Sequence, residues 1–203
     1  MRLSQVVLLV LAYLAGSLPF GYAAGRLAGI DVRSVGSGNT GATNVWRALG
    51  PRYGVPVLLL DALKGAVPTL VGAHWFGPGT AVLAGGAAVV GHTLPIFLGF
   101  GGGKGVATAA GVVFALTPLL AIAFALLFVA ILWLTRYVSL GSLVCAVAYP
   151  VICLIVGEPW QIVLFGAACA AIIVVRHRAN IGRLLHGTEN KAKTFGRGAP
   201  RRA

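Results

Sequence analysis

Apolar residues fill the chain in blocks parted by short polar breaks. The blocks run Leu3–Ala24, Gly54–Phe76, Thr80–Leu98, Val106–Leu116, Leu119–Leu134, Val138–Val156 and Gln161–Val175. A bilayer span needs about 20 apolar residues, within roughly 17–25. The fourth block falls short of that. Thr117-Pro118 separates it from the fifth, because the proline ring clashes with a continuing helix. Blocks four and five are therefore either one kinked span, giving six, or two, giving seven. The pattern predicts an all-α integral membrane protein.

Charge placement decides for seven transmembrane helices. Arg26, Arg33, Arg47 and Arg52 fill the first break, Lys104 lies in Gly99–Gly105, Arg136 follows the fifth block, and the chain from Arg176 onward is strongly basic. The breaks His74–Gly79, Thr117–Pro118 and Gly157–Trp160 hold no Lys or Arg. Positive charge marks the inner face. Strict alternation then puts the N-terminus outside and the C-terminus in the cytoplasm, with short cytoplasmic glycine-rich loops, and Arg2 is the one dissenting charge. Leu3–Ala24 has no A-x-A-like end, so it reads as the first helix and not as a removed leader. Residues 1–191 make a single membrane-embedded domain, and 192–203 make a disordered basic tail that touches lipid headgroups.

Composition agrees with lipid as solvent. Hydrophobic residues make up 58% and charged residues 10% of 203, against about 25% charged in a soluble domain; mean hydropathy is +0.91. Net charge is +12, from 16 Lys+Arg against four acids, Asp31, Asp61, Glu158 and Glu189. Positive-inside topology and attraction to anionic lipid account for part of it; an anionic substrate is the sharper explanation. Nucleic acid is not an expected partner, since no basic stripe is interleaved with aromatics outside the apolar blocks. Cys145, Cys153 and Cys169 all sit inside apolar blocks and form no C-x-x-C pair, so they read as packing residues. No carboxylate cluster or His/Cys set suggests a metal, and no cofactor is expected.

Candidate chemistry lies in three polar breaks. Gly36-Ser37-Gly38-Asn39-Thr40-Gly41-Ala42-Thr43-Asn44 is nine small, hydroxyl or amide residues followed shortly by Arg47. It satisfies G-x-G-x-x-G, but a dinucleotide site needs a βαβ unit, and this stretch lies between two spans. The glycines still allow an anion nest of N–H groups. Thr43-Asn44 is placed to cap a short helix through Leu49. The second break, Gly99-Phe100-Gly101-Gly102-Gly103-Lys104-Gly105, resembles a phosphate loop. It is no Walker A motif, because Leu98 stands where Gly is needed and Gly105 where Ser or Thr should follow Lys104. What remains is a glycine cradle with one lysine at the positive end of a helix. The third is Arg176 to Glu189. If the last helix continues through it, His177, Asn180 and either Arg183 or Leu184 share one face.

Each break also has a plain reading: a tight connector, a hinge with a snorkelling lysine, and a juxtamembrane basic anchor. Asp61 and Lys64, three apart on the second helix, read as an internal ion pair that holds a loop or orients a cationic group. His92 reads as an interior histidine. Tyr137, Ser139 and Ser142 open the sixth helix, where a hydroxyl either bonds a phosphate or caps the helix.

The blocks GSGNTGATN..R, GGGKGVAT and HR.NI.RLL.G.E, in this order on a seven-span chain, resemble the bacterial acyl-phosphate–glycerol-3-phosphate acyltransferase (PlsY) family. The resemblance runs to Lys191. It implies transfer of a fatty acyl group from acyl phosphate to the 1-hydroxyl of sn-glycerol 3-phosphate, giving lysophosphatidic acid and inorganic phosphate. The protein would act as a monomer in the bacterial inner membrane, with its active site on the cytoplasmic face. It also implies Lys104, Arg47, His177 and Asn180 as catalytic, and Ser37, Gly38, Asn39 and Ser142 as substrate-binding; the reading of the two glycine loops adds Thr43, Asn44, Gly102 and Gly103 to the substrate-binding set.

The residues suit that chemistry. Arg47 offers a bidentate phosphate grip and Lys104 a compact charge. An acyl phosphate already carries a good leaving group, and no Ser or Cys stands in a nucleophile setting. Catalysis would rest on proximity and on charge stabilisation. His177 lies between Arg176 and Arg178, which should depress its basicity, so the donor phosphate is favoured to take the proton. Two other functions compete. An anion transporter would place such helix ends near the bilayer midplane with inverted repeats, and a structural subunit would use the glycines for packing alone.

Overall fold

The computed structural model describes residues 1–192, and among them every regular element is helical. In chain order the helices are α1 Leu3–Ser17, α2 Phe20–Leu27, α3 Ala42–Leu49, α4 Pro51–Phe76, α5 Pro78–Thr93, α6 Val106–Leu116, α7 Pro118–Thr135, α8 Val138–Ile155, α9 Trp160–Arg176 and α10 Arg178–Leu185, with one 3₁₀ turn at Ile96–Leu98. The basic tail expected at 192–203 lies outside the described residues except for Ala192, whose N–H donates to the Arg136 carbonyl (2.7 Å).

Five stretches are long and apolar enough to cross a membrane, and α9 with α10, bent by 64°, makes a sixth. The remaining block, α6, has 11 residues, which is about 16 Å of helix. The surface is inverted relative to a soluble protein. No residue of α7 is buried, and Leu119, Leu126 and Trp133 on it are exposed, as lipid-facing side chains should be. Trp75, Trp133 and Trp160 are exposed at the ends of α4, α7 and α9, the level at which aromatic rings meet headgroups. Polar side chains are inside instead: Asp61, Lys64, Thr69, His92 and Thr108 are all buried. Close approach of α4 and α6 needs glycine, because a Cβ on Gly65 or Gly111 would strike the backbone of Thr108 or Ala62.

Prolines account for most differences from the predicted boundaries. The first block is not one helix: α1 ends at Ser17 and α2 starts at Phe20, with Pro19 between, since proline can neither donate to the helix nor avoid the preceding carbonyl. Lys64 Nζ takes the freed carbonyl of Leu18 (2.9 Å) while pairing with Asp61 Oδ1 (2.7 Å). The intramembrane ion pair thus holds a helix break, in keeping with its structural reading. His92 Nδ1 lies 3.5 Å from the same Asp61 oxygen. Likewise α5 stops at Thr93, short of the predicted Leu98, because Pro95 follows. The third correction is at α9. It does not run on through residue 189 but bends at His177 into α10, so the face-sharing expected of a straight helix gives way to residues gathered around a corner.

Candidate functional site

The three polar breaks, distant in sequence, converge on one cavity of about 440 Å³. Ser37, Asn39, Thr43, Asn44 and Arg47 reach it from the first loop and α3, and Lys104 from the loop before α6. Ser142 of α8, His177 at the bend and Asn180 of α10 complete the predicted set. Gly38, Gly102 and Gly103 are not among the residues that line it.

The first loop is shaped by Asn44. Its buried amide donates to the carbonyls of Val32 (2.8 Å) and Val35 (3.1 Å), and its Oδ1 accepts the Ser37 N–H (2.9 Å). Gly36 has φ +60, and a Cβ there would meet that same Oδ1; only glycine fits both constraints. Asn39 Oδ1 accepts the Gly41 N–H (2.9 Å) and turns the chain into α3. The expected Thr43-Asn44 cap is absent: Gly41 occupies the cap position and both residues lie within the helix. Asn44 is spent on the loop, which leaves Ser37, exposed Thr43 and Arg47 facing the cavity. Arg47 Nη2 donates to the Asn190 carbonyl (3.2 Å). Burial lowers its pKa, opposed by the nearby Glu189 carboxylate, and a guanidinium remains charged regardless.

The second loop departs from a simple phosphate cradle. The Gly103 N–H donates to the His92 carbonyl (3.0 Å). On the other side Arg176 Nε donates to the Gly103 carbonyl (3.2 Å), and Arg176 Nη2 donates to that of Gly102. A Cβ on Gly103 would run into the His92 ring. These two glycines therefore anchor the loop, while Lys104 and the first turn of α6 face the cavity. The amides of that turn have no intrahelical acceptor, so the positive helix end lies beside the lysine.

At the third block, Lys104 Nζ donates to Asn180 Oδ1, and Asn180 Nδ2 donates to Glu189 Oε1 (2.7 Å). Glu189 also accepts from Ser139 Oγ (2.9 Å) and, through Oε2, from Arg183 Nε (2.7 Å). Burial raises the Glu189 pKa, but these hydrogen bonds outweigh it and hold the carboxyl below its usual range. Lys104 is pushed down to about 8, by burial first; Glu189 opposes the shift, and Arg183, Arg47 and Arg176 add to it. His177, past the end of α9, has Nδ1 2.8 Å from the Ile173 carbonyl. That fixes the proton on Nδ1 and leaves Nε2 an acceptor. Its pKa is lowered to about 4, by burial and then by Lys104. The depression was expected, but from Arg176 and Arg178; burial and Lys104 cause it.

Glu189 lines the cavity and was not among the predicted site residues; Ser139, expected to bond a phosphate or cap its helix, lines it too and donates to Glu189 instead. The signal for Glu189 was present, because it is one of only four acids in the chain and ends the third block. Among the described residues no group of three or more His, Cys, Asp and Glu could hold a metal ion.

Below the polar cup the same cavity turns apolar. It continues between α6, α7, α8 and α9 past Val113, Phe124, Cys145 and Cys169 to Tyr149 and Phe165. From Ser139 to Tyr149 on α8 is about 15 Å of helix. A cationic cup with a neutral histidine, opening into an apolar groove, suits an amphiphile with an anionic head.

Comparison with known proteins places the chain among relatives of one family. Residues 6–187 match the family described as glycerol-3-phosphate acyltransferase. The glycerol-3-phosphate acyltransferase of Aquifex aeolicus is 46% identical over 93% of this chain and 100% of its own length; that of Mesorhizobium japonicum is 47% identical over 94% and 97%. The crystal structure of PlsY (YgiH), an integral membrane glycerol 3-phosphate acyltransferase, in its glycerol 3-phosphate form has a TM-score of 0.91 at 45% identity, covering 94% of this chain and 96% of that one. Its lysophosphatidic acid form has a TM-score of 0.87 at 44% identity, covering 93% and 95%.

Proposed function

The chain belongs to the glycerol-3-phosphate acyltransferase family and makes lysophosphatidic acid from glycerol 3-phosphate; we propose that its acyl donor is an acyl phosphate and that the cavity described above is where the two substrates meet. The observation that carries this reading is the continuity of the cup around Arg47 and Lys104 with the apolar groove that ends at Tyr149. A fatty acyl phosphate has that shape and polarity, with its phosphate in the cup and its chain in the groove.

In this account the 1-hydroxyl of glycerol 3-phosphate attacks the acyl carbonyl. The new ester bond forms, the carbon–oxygen bond to phosphate breaks, and the hydroxyl proton leaves on the departing phosphate, so the products are lysophosphatidic acid and hydrogen phosphate. Arg47, Lys104 and the α6 amides hold the two phosphates close and stabilise the charge on the leaving oxygen. Ser37, Asn39 and Thr43 supply polar contacts at the mouth. His177 contributes a hydrogen bond and no titration: with its pKa lowered to about 4 it is a weak base at neutral pH. Asn180 positions Lys104, and Asn44, Gly102 and Gly103 hold the loops rather than the substrate.

Seven crossings form part of the same proposal. Lys104 opens α6 inside the cavity, and the Arg136 carbonyl that ends α7 is bonded to Ala192, next to the Glu189 segment. Both helices thus have one end at the site and share Thr117–Pro118 at the other. With basic loops inside, the N-terminus is outside and the site faces the cytoplasm of a bacterial inner membrane. The same proposal has the enzyme act as a monomer. The test is to give purified protein glycerol 3-phosphate with either palmitoyl phosphate or palmitoyl-CoA. Equal amounts of lysophosphatidic acid and phosphate from the first, and no product from the second, are expected. Product from the thioester alone would overturn the donor assignment.

A further inference from the structure

The groove has a built floor. Tyr149 is the deepest residue of α8 on its wall and is 5% exposed. Its hydroxyl lies 3.0 Å from Thr117 Oγ1, which donates to the Val113 carbonyl (3.2 Å), so the tyrosine is the donor of the pair. Phe124 meets the Tyr149 ring edge-on, with centroids 5.6 Å apart at 71°. Gly166 lies flat beneath it, and a Cβ there would approach the ring to 2.9 Å. One aromatic side chain is thus held on three sides: by a hydroxyl at the α6–α7 break, a ring on α7 and a bare backbone on α9.

As simple core packing this arrangement would need neither a hydroxyl nor a position at the end of a cavity. Tyr149 has both. The hydroxyl pair fixes the ring at the depth where α6 ends, and Ala146, Cys145 and Ser142 above it on α8 line the cavity. A chain that fits above the ring meets no resistance. A longer one must displace a side chain packed against Thr117, Phe124 and Gly166, in an interior that does not yield continuously.

We propose that Tyr149, pinned by Thr117, Phe124 and the bare face of Gly166, is the floor that sets the longest acyl chain the enzyme accepts. The proposal rests on the acyl-transfer reading for its ligand. It assigns a specificity role to a residue 10 positions along α8 from Ser139, far from the phosphates.

Two measurements test it on the purified full chain. The first is competition among lauroyl, palmitoyl and arachidoyl phosphate, read as relative kcat/KM. Tyr149→Ala should raise the arachidoyl-to-palmitoyl ratio about ten-fold. Ala146→Leu, one turn nearer the mouth on the groove wall, should shift preference toward lauroyl by a similar factor. Tyr149→Phe, which keeps the ring between Phe124 and Gly166 but loses the Thr117 link, should raise the arachidoyl-to-palmitoyl ratio by less than Tyr149→Ala does. The second is thermal stabilisation by unreactive decyl, hexadecyl and eicosyl phosphate, which should follow the same length order in each variant. Transfer with an unchanged chain-length profile in both Tyr149→Ala and Ala146→Leu would overturn the floor. No transfer by any form, with stabilisation still shifting as stated, would instead overturn the acyl-transfer reading and leave the floor standing.

Discussion

Lys104 donates its ammonium to Asn180 Oδ1, and Asn180 passes the link on to Glu189 through its own N–H (2.7 Å). Two sequence blocks 76 residues apart are tied by one amide, and the cation sits in the cavity with its pKa lowered to about 8. The pH dependence follows from that. Lys104 is charged below its folded pKa and loses its charge as pH rises through about 8, so kcat/KM for the anionic substrates should fall above about 8. A bound phosphate stabilises the charged form, so the limb in kcat should lie at higher pH. Lys104→Arg, which does not titrate in this range, should lack the limb. Steady-state kinetics across the alkaline range check this.

The histidine predicts the opposite silence. His177 is held neutral, its pKa lowered to about 4 with Nδ1 committed to the Ile173 carbonyl. His177→Asn should reduce kcat/KM by a constant factor and leave the shape of the pH–rate profile unchanged between about 5 and 8. Loss of an acid limb in the variant would make the histidine a titrating base.

Glu189→Gln should act twice. The carboxylate receives bonds from Ser139, Asn180 and Arg183, and removing its charge should cost about 2 kcal/mol in stability at neutral pH. Its pKa is depressed in the fold, so the stabilisation is present above the unfolded carboxyl value and fades as pH falls through the folded one; the gap to wild type should close in acid. The same substitution removes the field that supports the Lys104 charge, so the alkaline limb should move below about 8. Thermal melts against pH and the kcat/KM profile read the two effects separately.

Buried charge at the α1–α2 break gives a stability test. Lys64→Met removes the cation 2.7 Å from buried Asp61, leaving it only His92 Nδ1 at 3.5 Å, and strips the Leu18 carbonyl of its donor, at a cost of about 3–5 kcal/mol. Asp61→Asn with Lys64→Met should be milder than the single change, because the uncompensated charge is gone. Thermal unfolding in detergent of the two single variants and the double variant measures the coupling.

Much of this was legible in the sequence. Hydropathy located every long helix, and the three polar blocks held most of the polar residues that meet in the cavity. The misses have local causes. Pro19 and Pro95 broke helices that hydropathy reads straight through, since an apolar window does not register a missing N–H. The bend at His177 is invisible to periodicity because both arms keep a helical pattern. Gly102 and Gly103 looked like a ligand cradle, but both carbonyls are taken by Arg176 and the Gly103 N–H by His92, partners that only the fold brings near. Glu189 went unassigned because an isolated carboxylate in a basic segment looks like solvated charge until Ser139, Asn180 and Arg183 close on it.

The most direct test of the central claim is phosphate release by the purified protein from palmitoyl phosphate, in detergent with chelator present, with and without glycerol 3-phosphate. The account predicts release that depends on glycerol 3-phosphate and falls by about 10²–10³ in Lys104→Ala. Release by a folded Lys104→Ala protein at the wild-type rate, or release indifferent to glycerol 3-phosphate, would contradict it.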